Sequence, residues 1–282
     1  MSAEIGTLTG RQAVELALRD HGVNVEFIGA GDVRRNSSRL FQLLRGGTPS
    51  VIVIEALSVE SLDVMALRWI FPGGITPLVL CPSNVFECAE LAGAAASAAG
   101  LLNVPVFLLL DQQLAEQIES GIEAAPMPEL KYEDVPPIDA LELPEAEVEM
   151  RLLEQRLSRL PGGLPLATLD ASPGAMGRPE WLVVTYGATA HAASRAVAEA
   201  REGGQRVSML NLKVLWPLPE SELLRASTGI KHVVVAERNL GQYAQEIRRV
   251  LPDLAVVSAG NATGPVPQSL ILRSLQRTPR CC

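Results

Sequence analysis

Basic charge, aromatic side chains and long apolar runs are all scarce in this chain, and each shortage excludes something. Lys and Arg number 24 against 32 Asp and Glu, leaving a formal net charge of -8. That balance argues against nucleic acid or an anionic membrane as the main partner. Aromatic residues make up only 4% of a sequence that is 48% hydrophobic, so the core is built from Ala, Val, Leu and Ile. Such a composition is common where helices cover a parallel sheet. The apolar runs Leu78–Leu80 and Val104–Leu110 are too short to span a bilayer. Met1–Gly10 lacks a basic region followed by an apolar stretch, so no signal peptide is visible and cytoplasmic residence is the expectation.

Cysteine is equally sparse: Cys81, Cys88, Cys281 and Cys282. No C-x-x-C pair or iron–sulfur ligand run exists among them, and the C-terminal pair does not form a prenylation box. Cys81 ends an apolar run and Cys88 lies on a predicted helix, so both read as buried free thiols. The three histidines, His21, His191 and His232, are too scattered for metal ligation. Gly29-Ala30-Gly31 follows a strand but lacks the third glycine of a dinucleotide loop. A G-x-S-x-G nucleophile elbow is absent.

What is present is an alternation of strands and helices, interrupted once. Thr9 is a potential N-cap for a helix over Gly10–His21, whose Ala13, Val14, Ala17 and Leu18 share one face. Strands are predicted at Val23–Ile28, Val51–Ile54, Pro77–Cys81 and Val104–Leu110. Helices are predicted at Ser38–Leu44, Ser58–Trp69 and Ser83–Gly100. Between Glu123 and Glu149 prolines and acidic residues take over, which reads as a linker. Arg151–Leu160 is a short helical candidate with Leu152, Leu153 and Leu157 inward, and a second Pro/Gly-rich break runs from Pro161 to Pro179. The alternation resumes with strands at Leu182–Tyr186, Val207–Leu212, His232–Ala236 and Ala255–Ser258. Helices at Thr189–Glu202, Glu220–Ser227 and Asn239–Leu251 lie between them. The fold class is α/β, with mostly parallel sheets flanked by helices. At 282 residues, two domains are natural: 1–122 and 180–282, joined by an acidic linker over 123–179.

Three blocks of the second half carry a family pattern. Residues 183–187 (VVTYG), 210–219 (LNLKVLWPLP) and 237–242 (ERNLGQ) resemble the transketolase C-terminal-like domain of 2-oxoacid:ferredoxin oxidoreductase alpha subunits. The family's segments there run V-x-x-Y-G-S, L-R-x-L-x-P-F-P and E-x-N-x-G-Q, in the same order. In an open α/β sheet the carboxyl ends of strands form the crevice where ligands or partners sit. Trp216, Asn239, Gly241 and Gln242 are therefore candidates for a subunit interface. Asn239 is equally a candidate helix cap, and Trp216 reads equally as core filling.

The first half resembles the same family's thiamine-diphosphate pyrimidine-binding domain, through LTGRQAVELALRDHG (8–22), LVLCPSNVFECAEL (78–91) and VPVFLLLD (104–111). It departs from the family where cofactor and substrate are held. The family's G-Y-P-I-T-P-S-S loop is replaced by Gly29–Ser38, which keeps Ser37 and Ser38 only. Arg34 and Arg35 on that loop can hold a substrate carboxylate through their planar forks, or simply be solvated. The family's helix-heading glutamate, which hydrogen-bonds the aminopyrimidine of thiamine diphosphate, falls on Glu60 when the sequences are laid without gaps. Glu55 is its rival, and a surface helix residue is the plainer reading of Glu60. The T-S-G-P-G segment and the stretch after it are missing. The resemblance implies a subunit of a complex that oxidatively decarboxylates a 2-oxoacid to an acyl-CoA and passes electrons to ferredoxin. This chain alone is expected to bind no cofactor. Thiamine diphosphate, magnesium and iron–sulfur clusters would sit on a beta subunit and on gamma or ferredoxin-like partners. A non-catalytic scaffold or regulatory subunit derived from that family is the alternative.

Overall fold

A computed structural model describes residues 6–19, 21–56, 63–122, 128–132, 143–171 and 178–276. The chain opens with β1 (Gly6–Thr9), α1 (Gly10–Leu18), β2 (Asn24–Gly29), α2 (Ser37–Arg45), β3 (Ser50–Ala56) and α3 (Asp63–Arg68). Next come β4 (Val79–Leu80), α4 (Val85–Leu102), β5 (Pro105–Asp111), α5 (Gln112–Glu116), β6 (Ile118–Ile122) and α6 (Glu145–Ser158). Then follow β7 (Ala167–Asp170), β8 (Trp181–Tyr186), α7 (Thr189–Glu202), β9 (Val207–Leu212) and β10 (Val214–Trp216). The last elements are α8 (Glu220–Ala226), β11 (His232–Glu237), α9 (Gln242–Val250), β12 (Ala255–Gly260) and α10 (Gln268–Gln276). Glu60, Cys281 and Cys282 lie outside the described residues, as do 123–127, 133–142 and 172–177 of the linker.

The chain divides into two compact units. In the first, β2, β3, β5 and β4 run parallel in the order β10-β4-β5-β3-β2, with β10 antiparallel on β4. The β-branched run Val51–Ile54 is wholly buried in the sheet interior, as strands covered on both faces require. Thr9 caps α1: its hydroxyl accepts from the Gln12 amide at 3.1 Å while the Gln12 side chain accepts from the Thr9 amide at 2.9 Å. Such a reciprocal box satisfies two of the helix's orphan donors. A Cβ at Gly10 would overlap the Leu114 carbonyl oxygen, so only glycine fits there. Helix α4, Ala-rich and apolar almost all round, is capped by Asn84 and buried over most of its length. It passes a length and composition test for crossing a membrane, but its packing against α1 and β5 identifies it as the unit's core helix. Cys81 and Cys88 are buried and in no disulfide, and burial pushes the Cys88 thiol far up from its ordinary value.

The second unit is a five-stranded sheet in the order β12-β11-β8-β9-β7, all parallel except the edge strand β7. One side is sealed by α7 and α10 over Val183, Met209, Val234 and Ala259.

The sequence-based boundaries need three corrections. Residues 166–171 belong to the second unit through β7, although they fall in the predicted linker. Helix α6 starts at Glu145, also inside that linker, with Leu153 and Leu157 buried and Leu152 only partly so. Residues 214–218, assigned to the second domain, belong to the first unit through β10.

Candidate functional site

Strand order in the second unit marks one place for a site. From the central strand β8 the chain steps to β9 on one side and then to β11 on the other. This reversal opens a crevice at the carboxyl ends of β8 and β11, the usual ligand position in open α/β sheets. Tyr186 ends β8, Glu237 ends β11, and the segment Arg238–Gly241 leads from there into α9.

The crevice is filled by its own side chains. Asn239 is buried, its Oδ1 accepting from the amides of Gly241 at 2.8 Å and Gln242 at 3.0 Å, while its Nδ2 donates to the Tyr186 hydroxyl at 3.3 Å. Asn239 thus closes the turn ahead of α9, whose N-cap is Gly241, rather than capping the helix itself. Gln242 turns back as well, its Oε1 accepting from the Leu240 amide at 2.8 Å. Gly241 takes φ 98°, a left-handed conformation that favours glycine. A Cβ at Gly260 would overlap the Asn239 carbonyl oxygen, so β12 clamps the loop from the side. Tyr186 and Tyr243 meet edge to face at 5.0 Å, a favoured aromatic geometry.

Beneath the loop lies Glu237, fully buried. Its Oε2 accepts from the amides of Tyr243 at 2.9 Å and Ala244 at 3.3 Å, and its Oε1 lies 2.7 Å from the Ser258 hydroxyl. Burial raises its pKa from the ordinary carboxylate value, while Ser258, Asn239 and the two amides pull it down. Together Asn239, Gln242 and Glu237 take up every amide from Leu240 to Ala244. A helix start at a switch point is ordinarily an anion site; this one is closed by its own residues. What it presents outward is Leu240, 81% exposed. Sequence reasoning singled out Asn239, Gly241 and Gln242 but gave Glu237 no role, although it heads the same E-x-N-x-G-Q block.

The other candidates lie in the first unit. Trp216 is buried there, its Nε1 donating to the Val64 carbonyl at 2.6 Å and its ring lying under the Arg68 guanidinium. Its indole fills core and offers no surface to a partner, which corrects its reading as an interface residue. Arg34 and Arg35 are both exposed, and Arg35 pairs with Asp32 at 3.0 Å. Glu55, at the end of β3, accepts from Arg11 at 2.7 Å; Arg11 also reaches Glu15 and lies over the Phe27 ring.

Residues 179–266 match the family described as pyruvate:ferredoxin oxidoreductase core domain II. That span takes in β8, β11, β12 and the whole of the filled crevice. Over more of its length the chain is similar to 2-oxoglutarate synthase subunit KorA from three archaea. The chain is thus similar to subunits of 2-oxoacid:ferredoxin oxidoreductases. With KorA of Methanothermobacter marburgensis it shares 25% identity, and with that of Methanothermobacter thermautotrophicus 26%, over 69% of this chain and 61% of each relative. KorA of Archaeoglobus fulgidus is 25% identical over 89% of this chain and 75% of that one. The chain thus spans less than two thirds of the Methanothermobacter proteins it matches.

Two solved structures share the fold. One is 2-oxoglutarate:ferredoxin oxidoreductase from Magnetococcus marinus with 2-oxoglutarate, coenzyme A and succinyl-CoA bound. It matches with a TM-score of 0.69 at 14% identity, covering 96% of this chain and 64% of that one. The other is a split-gene transketolase in an inactive beta4 tetramer, with a TM-score of 0.62 at 13% identity, covering 96% and 98%.

Thiamine diphosphate, the cofactor of 2-oxoacid:ferredoxin oxidoreductases, does not fit at Glu55. Its aminopyrimidine needs a shielded carboxyl able to donate a proton to the ring, whereas Glu55 is part-exposed and engaged by a guanidinium. Among the described residues no group of three or more His, Cys, Asp or Glu is placed to hold a metal ion.

Proposed function

We propose that this chain is a subunit of a 2-oxoacid:ferredoxin oxidoreductase complex that works only with a thiamine-binding beta subunit. The complex would convert a 2-oxoacid to its acyl-CoA and deliver the electrons to ferredoxin. Thiamine diphosphate, magnesium and the iron–sulfur clusters would reside on the beta chain and on gamma or ferredoxin-like partners. The observation that carries this reading is the similarity to KorA over 69–89% of the chain, which includes the crevice-forming domain. Within the complex Glu60 is the carboxyl assigned to catalysis, since Glu55 is engaged by Arg11. Arg34, exposed on the loop after β2, is the better placed of the two arginines to meet a substrate carboxylate, because Arg35 is paired. The interface role rests with Asn239, Gly241 and Gln242, which hold Leu240 outward.

A second reading follows from the engaged Glu55. A chain without an activating carboxyl would act as a scaffold, and the split-gene transketolase of like length is an inactive homotetramer. Co-expression with a thiamine-binding beta-type chain of this enzyme class, followed by light scattering on the eluted complex, separates the two. The subunit reading expects a defined heteromer containing both chains. Elution of this chain as a homo-oligomer free of the beta chain would reject it.

A further inference from the structure

Glu237 is the only acidic side chain among the fully buried polar residues described. Carboxylates are almost never fully buried unless paired with a cation. Yet all its partners are uncharged: the Tyr243 and Ala244 amides, the Ser258 hydroxyl and the Asn239 side chain. Among the described residues no cationic group is hydrogen-bonded to it. β12 carries no titratable residue and β8 contributes Tyr186. On α9, Tyr243 faces the site, Glu246 pairs with Arg249, and Arg248 donates to the Val256 carbonyl. Arg238, half-buried, follows on the loop, and His232 lies at the far end of β11.

This cage suits a neutral acid as well as an anion. The Oε2 atom can accept both amides in either form. The 2.7 Å contact to Ser258 works with the proton on either oxygen, and half-buried Ser258 can complete its own bonding with solvent. We propose that Glu237 is a pH-sensitive latch on the Arg238–Gly241 loop, which stays closed over a neutral carboxyl and opens when that carboxyl ionises. The sign follows from linkage. An opened loop hydrates the carboxyl and returns it to its ordinary proton affinity, whereas the closed state holds the proton more tightly. Closure is therefore fully favoured below the ordinary carboxylate range and loses that advantage as pH rises through the raised value. Opening would release Asn239 and Gln242 from the backbone and move Leu240. The latch stands on the second unit alone and does not depend on the proposed function.

Amide exchange read by mass spectrometry on the full chain from pH 5 to 8, corrected for intrinsic rates, tests it. Protection over residues 238–244 is expected to fall by about tenfold for each unit separating the two proton affinities. Glu237→Gln, which keeps the shape of the cage, should hold that protection constant with pH. Ser258→Ala removes a donor to the anion and should move the fall to higher pH. A wild-type profile matching that of Glu237→Gln would overturn the latch. Should Glu237→Gln fail to fold, the carboxyl-carbon NMR titration of wild-type Glu237 decides, and a midpoint in the ordinary carboxylate range rejects it.

Discussion

The two units end their strands in opposite ways. At the β8–β11 edge of the second unit, polar side chains are buried and turned inward, and every amide of the following helix start is taken up. At the β2–β3 edge of the first unit, the corresponding positions carry exposed or part-exposed pairs, Arg35–Asp32 and Arg11–Glu55–Glu15. Buried polar networks specify one conformation because an unmatched member is costly. Exposed pairs contribute little and specify little. The second unit's edge is held by its own buried polar groups, whereas the first unit's edge carries surface charge pairs. Fold similarity alone would not have separated the two edges, since both units are covered by the same matches.

The largest effect should come from Trp216, which is buried in the first unit's core. Trp216→Ala is expected to cost about 3–5 kcal/mol, read as a lowered unfolding midpoint of the chain alone. An interface tryptophan would leave that midpoint unchanged. Asn239→Ala probes the inward edge and should cost about 1–3 kcal/mol, as for buried amides left without their acceptor. If stability holds but co-purification with a beta chain fails, Asn239 acts by contact rather than by holding the turn. Arg11→Ala probes the outward edge and should cost about 0.2–1 kcal/mol, less at high salt. A loss several times larger would show that the Arg11–Glu55 pair is more than a surface contact.

The parallel strands were legible in the sequence to within one or two residues, because Val- and Ile-rich runs such as Val51–Ile54 and Val233–Val235 have no other stable place. The Thr9 cap was legible too, being set by local geometry. Edge strands were not. β7 is four residues with only partly covered side chains, so no alternation marked it. β10 continues the apolar run of β9, and nothing in Leu212-Lys213-Val214 shows that the run divides between two sheets. Helix α10 and the short α5 also went unassigned. The site was half legible: a family pattern pointed to Asn239, Gly241 and Gln242. Buried Glu237 was overlooked because a glutamate after an apolar strand is ordinarily read as the point where the chain leaves the sheet.

The measurement that bears most directly on the proposed role is 2-oxoacid-dependent ferredoxin reduction by the beta-type chain, assayed with and without this chain. The expected result is turnover only when the two are combined, reduced by about a hundredfold in a complex carrying Glu60→Gln. Equal turnover by the beta-type chain alone would contradict it.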